Sequence, residues 1–246
     1  MQIEASNYPV AVIGAGTMGE GIAQIAASAG HPVLLYDVSQ QQSQNALENI
    51  AKRLERSLKK GKITAEKRKQ ILENLSPRET LGELSQAKLV IEAIIEVLAI
   101  KQAVFCELES LLAEDVILAT NTSSFDLNKI GSVLKRPQHF VGMHFFNPAP
   151  VMALVEIVRS QDTDSDVADT VFKLSEQWAK SPVHVRSSPG FIVNRVARPF
   201  YSEALEIVKE NGTDAATCDA IMRDCGGFRM GPFELMDLIG LDVNYT

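Results

Sequence analysis

Two groups of residues in this 246-residue sequence have the types and the spacing for chemistry. The first is Gly14, Gly16 and Gly19, a G-x-G-x-x-G set between the apolar run Pro9 to Ile13 and a helix-patterned stretch from Thr17 to Ala29. In that context the first glycine allows a tight turn and the second lets backbone approach a pyrophosphate. The third lets helix and strand pack closely, and the helix N-terminus faces the phosphates. Asp37 stands 18 residues after Gly19, at the end of a second apolar run, Pro32 to Tyr36. A carboxylate there accepts hydrogen bonds from the adenosine ribose hydroxyls and repels a 2′-phosphate. No arginine follows among Val38, Ser39 and Gln40, so the pattern favours NAD over NADP.

The second group is the histidines. Oxidising an alcohol with NAD needs a side chain that takes the hydroxyl proton, and His31, His139, His144 and His184 are the available imidazoles. In an open α/β sheet the ligand lies beyond the carboxyl ends of the strands. His31 and His139 precede strand patterns and fall at the other edge, and His184 lies inside a short strand pattern late in the chain. His144 alone closes a central strand pattern, Phe140 to His144, at its carboxyl end. On position alone, a residue that merely caps the strand remains an equal alternative.

The elements that must hold these residues alternate between strand and helix for the first two-thirds of the chain, the pattern of a parallel sheet with crossover helices. Leu47, Ile50, Ala51, Leu54 and Leu58 recur at helical spacing, which predicts an amphipathic helix over Gln40 to Lys60 ended by Gly61. A helix follows from about Thr64 to Leu75, then strands at Leu89 to Ala93 and Val116 to Thr120 with a helix between them. After Pro150 come a strand at Leu154 to Val158, a helix through Trp178, a strand near Val183, and then mostly helix, with Phe191 to Lys209 bent at Pro199 and Thr213 to Asp224 next. The fold class expected is α/β, a Rossmann-type doubly wound sheet over 1–188 followed by a mainly helical C-terminal domain over 189–246. The helical pattern stops abruptly at Thr246, so that domain is expected to be incomplete.

Composition narrows the function classes. An apolar content of 46% is ample for a packed core, and no stretch approaches the roughly 18 uninterrupted apolar residues of a membrane span. The opening residues lack an export signal, so a cytoplasmic protein with no membrane partner is expected. Cys106, Cys218 and Cys225 are odd in number and share no metal-type spacing, so neither a disulfide framework nor a metal site is expected. A net charge of −7 argues against nucleic acid as a partner. Lys52 to Lys69 departs from that balance, with nine basic residues against Glu55 and Glu66, a local +7.

From Val10 to Asp242 the chain resembles the 3-hydroxyacyl-CoA dehydrogenases, NAD-linked oxidoreductases of fatty-acid and related acyl-CoA breakdown (β-oxidation). The motifs that carry the resemblance are VIGAGTMGEGIA from Val12 to Ala23, NTSS from Asn121 to Ser124 and HFFNPAPVMALVE from His144 to Glu156. PGFIVNR from Pro189 to Arg195 and MGPFELMD from Met230 to Asp237 complete the set, in the same order and spacing. The resemblance implies that His144 is the general acid/base, oriented and supported by Glu156, and that Ser123 and Asn194 hydrogen-bond the reacting oxygen and the neighbouring carbonyl. It implies that Thr17 and Met18 join the glycines and Asp37 around NAD, with Glu96, Lys101 and Asn121 near its nicotinamide half. Lys60 falls at a CoA-contact position, and Arg53 stands where the family commonly has a CoA-contacting serine. A homodimer through the helical domain is implied as well. Two rivals remain: an NAD-dependent dehydrogenase of a hydroxy acid or sugar acid without CoA, against which the basic Lys52 to Lys69 stretch argues, and an NAD-binding structural or regulatory protein, against which the intact Ser123, His144, Glu156 and Asn194 argue.

Overall fold

The computed structural model describes residues 4–210 and 212–240. The end of the resembling segment at Asp242 and the abrupt stop at Thr246 lie outside the described residues. The chain separates into two compact units, the first through Phe191 and the second from Ile192.

In the first unit, β1 (Val10–Ile13), β2 (Val33–Tyr36), β3 (Leu75–Arg78), β4 (Leu89–Glu92), β5 (Ile117–Thr120), β6 (Phe140–Phe145), β7 (Leu154–Arg159) and β8 (Ser181–Arg186) form one sheet in the order β3-β2-β1-β4-β5-β6-β7-β8. The β3 to β6 portion is parallel and has the doubly wound order, with its reversal between β1 and β4. β7 runs antiparallel to β6, and β8 parallel to β7. The helices are α1 (Thr17–Ser28), α2 (Gln40–Lys59), α3 (Ala65–Glu73), α4 (Leu98–Leu111), α5 (Leu127–Gly131) and α6 (Ser165–Gln177).

Why the strands read as unbroken apolar runs is clear from their two faces. Val10 and Val12 of β1 pack with Ile22, Ile50 and Val171 from α1, α2 and α6, while Ala11 and Ile13 pack with the cluster that holds Phe105 and Leu108 of α4 and Leu127 of α5. Each central strand is therefore buried on both sides. β3 was not expected, because Ser76, Pro77 and Arg78 lack an apolar run and the Thr64 to Leu75 stretch is expected to end in helix. The helix stops at Glu73, and the strand survives because it lies at the sheet edge, where a proline without an N–H is tolerated.

The units divide three residues beyond the boundary expected at Pro189. Phe191 is only 3% exposed and packs in the same apolar cluster as Phe140 and Val185, which keeps the Pro189–Phe191 turn with the sheet. The second unit contains α7 (Val193–Lys209), with Pro199 inside it, α8 (Ala215–Asp224) and α9 (Pro232–Ile239). Buried Asp219 of α8 caps the start of α9, accepting hydrogen bonds from Phe233 N at 2.9 Å and Glu234 N at 3.1 Å.

Candidate active site

The glycine turn joins β1 to α1. Gly14 has φ +93°, and a Cβ there would sit 2.5 Å from the Ala93 carbonyl oxygen on the neighbouring strand exit. A Cβ on Gly19 would lie 1.7 Å from the Gly14 oxygen, so α1 can approach the turn this closely only without a side chain. Gly16, the N-cap of α1, has nothing within 4 Å of its missing Cβ. Thr17 and Met18 open the helix behind it. The turn is thus closed toward the protein and open at the helix N-terminus, where an anionic group is stabilised.

At the end of β2, Asp37 ties this turn to its neighbour. Its Oδ2 accepts a hydrogen bond from Ala15 N at 2.7 Å and its Oδ1 one from Ser39 N at 2.9 Å. Asp37 also lines a cavity of about 530 Å³ together with Gly14, Gly16, Val38, Ile94 and Ile95. A mainly apolar pocket with a glycine turn beside it and two carboxylate residues in its lining, Asp37 next to that turn and Glu107, suits the adenosine part of a dinucleotide, so the residues present fit NAD.

Farther along the same carboxyl edge, the strand register builds a second constellation. His144 is the fifth residue of β6 and Glu156 the third of β7, and the antiparallel pairing sets them directly opposite each other. Directly opposed residues share a face, so the His144 Nδ1 lies 2.6 Å from Glu156 Oε2. Glu156 is fully buried and His144 is 5% exposed. The rings of Phe146 and Phe191 flank the imidazole at centroid distances of 4.5 and 5.6 Å. With Glu156 as a carboxylate, Nδ1 carries the shared proton and Nε2 presents its lone pair. The remaining histidines lie elsewhere. His31 is buried before β2 with Nδ1 2.8 Å from the Tyr8 carbonyl oxygen, His139 precedes β6, and His184 sits in β8 3.5 Å from Asp169.

Between these groups lies the loop after β5. Asn121 is anchored on both sides: its N–H donates to the Glu92 carbonyl at 2.8 Å and its Oδ1 accepts from Phe145 N at 2.9 Å, next to His144. The Thr122 hydroxyl donates to Glu96 and accepts from Phe125 N at 3.1 Å, which wraps the loop around Thr122 and leaves Ser123 exposed. Glu96 also accepts from Ser124 at 2.9 Å and pairs with Lys101 Nζ at 3.0 Å. Burial pushes the Glu96 carboxyl up, but the bonds from Thr122, Lys101 and Ser124 outweigh it and hold the group below its ordinary value.

Sequence reasoning missed the residue beneath this loop. Glu92, the last residue of β4, has no exposed surface, and it accepts from Lys101 Nζ at 2.6 Å, Ile94 N at 2.8 Å and Thr120 Oγ1 at 2.7 Å. The signal was available: a carboxylate closing an apolar strand buried on both faces must find partners or neutralise. Lys101 is likewise 1% exposed, so its ammonium is engaged by two carboxylates and not by solvent.

The other expected site residues are Lys60, Arg53 and Asn194. Lys60 caps the far end of α2, about 30 Å from the helix start by the rise per residue. Arg53 faces α1, where it pairs with Glu20 and donates to Gln24 Oε1 at 2.7 Å. Asn194 is the second residue of α7, in the helical unit.

A dinucleotide-type glycine turn and a buried His–Glu pair on one carboxyl edge define the class of a doubly wound α/β domain of the dinucleotide-binding type. Comparison with known proteins gives the family. Residues 9–188 match the model of the 3-hydroxyacyl-CoA dehydrogenase NAD binding domain, and residues 190–246 that of the 3-hydroxyacyl-CoA dehydrogenase C-terminal domain. The chain belongs to the 3-hydroxyacyl-CoA dehydrogenase family. It is 48% identical over 237 residues to a 3-hydroxyadipyl-CoA dehydrogenase of Escherichia coli, covering 96% of this chain and 50% of that protein. It is 44% identical over 234 residues to a 3-hydroxybutyryl-CoA dehydrogenase of Clostridioides difficile, covering 95% and 83%. The crystal structure of an (S)-3-hydroxybutyryl-CoA dehydrogenase from Ralstonia eutropha matches with a TM-score of 0.95 at 37% identity, covering 98% of this chain and 85% of that one. The chain therefore spans half the length of the Escherichia coli relative and most of the other two. Among the described residues no helix is long and apolar enough to cross a membrane, and no cluster of ligating side chains suits a metal.

Proposed function

We propose that this protein passes a hydride between the C3 hydroxyl or ketone of a 3-hydroxyacyl-CoA and NAD. The observation that carries the reading is the His144–Glu156 pair, 2.6 Å apart and buried at the same strand edge as the glycine turn and Asp37. Gly14, Gly16, Thr17, Met18 and Gly19 would hold the pyrophosphate, Asp37 the adenosine ribose, and Glu96 and Asn121 the edge beyond, with buried Lys101 holding Glu96 from behind. Bound there, NAD supplies the acceptor for the hydride that leaves carbon 3. His144 Nε2 takes the hydroxyl proton as the carbonyl forms, and returns it to the oxygen in reduction. Glu156 holds the ring in the tautomer that this transfer needs and stabilises the imidazolium that results. Exposed Ser123 donates a hydrogen bond where negative charge gathers on the reacting oxygen. Asn194 is assigned the neighbouring carbonyl by the resemblance alone.

The basic run supports CoA as the handle, because the 3′-phosphate and pyrophosphate of CoA are drawn to clustered cations. Lys60, exposed at the end of α2, is the better candidate contact. Arg53 is already committed to Glu20 and Gln24. A cytoplasmic homodimer belongs to the same proposal, supported by the exposed apolar side chains of Val196, Leu205, Ile221 and Phe228 in the helical unit. Light scattering tests the assembly. The function is tested by following reduction of NAD with 3-hydroxybutyryl-CoA and with free 3-hydroxybutyrate. Oxidation of the thioester at a kcat/KM at least about 10²-fold above that of the acid is expected; equal rates would return the reading to a dehydrogenase without CoA.

A further inference from the structure

Glu92 is a costly residue. An ionised carboxylate with no exposed surface must be compensated, and a fold that needed only a filled strand end would place an apolar residue there. Its partner Lys101 is equally buried and lies within 3.0 Å of a second carboxylate, Glu96. Three charges thus sit at the exits of β4 and β5: two carboxylates and one ammonium. Glu92 holds Lys101 at 2.6 Å, and Glu96, whose side chain is 37% exposed, reaches the surface of the loop that carries Ser123. The cluster carries net −1, and the surplus charge is at its exposed member.

The topology says what this charge faces. A dinucleotide spans the crevice outside the carboxyl ends of a doubly wound sheet. Asp37 and the glycine turn mark the adenosine side at β2 and β1, and His144 on β6 marks the reacting side. The exits of β4 and β5 lie between them, so the half of the dinucleotide that reaches His144 must run along the cluster. That half is the one whose charge changes: the oxidised nicotinamide ring carries +1 and the reduced ring none.

We infer that Glu92 neutralises Lys101 so that Glu96 presents an uncompensated negative charge to the nicotinamide, favouring the oxidised form of the dinucleotide over the reduced form. The inference rests on the NAD reading above. Without Glu92, Lys101 would neutralise Glu96 and the edge would become neutral. Glu92 and Lys101 are then positioning residues, and Glu96 tunes the affinity ratio. Contributions from the His144–Glu156 pair and Asp37 are the same in parent and variant, so they cancel in the comparison.

The test is the ratio of dissociation constants, Kd for NADH over Kd for NAD⁺, measured by calorimetry and by quenching of protein fluorescence on the parent protein, Glu92→Gln and Glu96→Gln. Loss of one unit charge a few side chains from the ring in a partly wet site is expected to lower the ratio about 3- to 10-fold in each variant, through weaker binding of NAD⁺ with NADH little changed. Glutamine at 92 can still accept from Ile94 N through its Oε1 and donate its Nε2 to a reoriented Thr120 Oγ1, and if that variant fails to fold, Glu96→Gln at the rim decides alone. A ratio unchanged in both variants overturns the inference. A shift in Glu96→Gln with none in a folded Glu92→Gln also overturns it, since the part assigned to Glu92 would then be absent. A parent protein that binds neither form defeats the NAD reading itself, an outcome distinct from tight binding with an unaltered ratio.

Discussion

Replacing Asp37 with serine separates what the carboxylate does for a ribose from what it does for the turn. In the structure it accepts from Ala15 N at 2.7 Å and Ser39 N at 2.9 Å, and its rim position on the cavity leaves further lone pairs toward a ligand. Serine keeps an acceptor but no charge. A charge-assisted hydrogen bond to a ribose hydroxyl contributes about 1.5–3 kcal/mol, and that is lost for NAD. A carboxylate and a phosphate dianion about 5 Å apart at an effective dielectric of about 40 repel by about 3 kcal/mol, and that penalty is removed for NADP. No cation among Val38, Ser39 and Gln40 replaces it with an attraction, so the gain for NADP stays partial. The NAD to NADP ratio of kcat/KM should therefore fall about 10³- to 10⁴-fold. Initial rates with each cofactor well below KM give the ratio directly, and a urea unfolding midpoint shows whether the turn has loosened. A ratio within about twofold of the parent, with folding intact, would refute the placement of the ribose at Asp37.

Three further outcomes follow from distances in the structure. Gly19→Ala puts a methyl 1.7 Å from the Gly14 oxygen, so the turn must open; a loss of about 3 kcal/mol or more in unfolding free energy and a collapse of NAD affinity are expected, and a stable, NAD-binding variant would contradict the packing. Glu156→Gln keeps the shape beside His144 but removes the charge that stabilises the imidazolium; kcat should fall about 10- to 10²-fold, and the loss in the double variant with His144→Gln should be far less than the product of the single losses, which kinetic double-mutant analysis reads. His31 is held below its ordinary pKa by burial, only partly offset by its hydrogen bond to the Tyr8 carbonyl. Because the folded value is the depressed one, the stabilisation is complete above about pH 6.5 and is lost as pH falls toward the folded value. Urea midpoints taken between about pH 7 and pH 5 should drop more for the parent than for His31→Gln, and parallel curves would assign that pH dependence to other groups.

The parts of the site that local chemistry dictates were legible in the sequence. A glycine turn between a strand and a helix, and a carboxylate at the next strand end, have few physical alternatives, and the structure places Gly14, Gly16, Gly19 and Asp37 around one cavity rim and turn. His144 was legible as a strand-end residue because β6 reads as a plain apolar run. Its pairing with Glu156 was legible only through the family resemblance, since a separation of twelve residues by itself says nothing until β7 is known to run antiparallel in a register that sets the two opposite each other. β3 was hidden by Pro77, whose tolerance depends on edge position, a tertiary property. Glu92 was overlooked for the opposite reason: it follows Leu89, Val90 and Ile91 so smoothly that the strand absorbed it, and although a carboxylate closing an apolar run signals a need for partners, that the partner is Lys101 emerges only from the fold. The commitment of Arg53 to Glu20 also depends on how α2 crosses α1, which helical periodicity does not specify.

Proton transfer at His144 is tested by the turnover of His144→Gln with a 3-hydroxyacyl-CoA, taken alongside its NAD dissociation constant. Glutamine is near in size and cannot act as the base, while the glycine turn and Asp37 lie on other strands. An NAD dissociation constant within about twofold of the parent is expected, with a kcat lower by about 10²- to 10⁴-fold, the usual contribution of a positioned general base. A folded, NAD-binding His144→Gln that turns over at nearly the parent rate would contradict proton transfer at His144 and move the search for the base to His184.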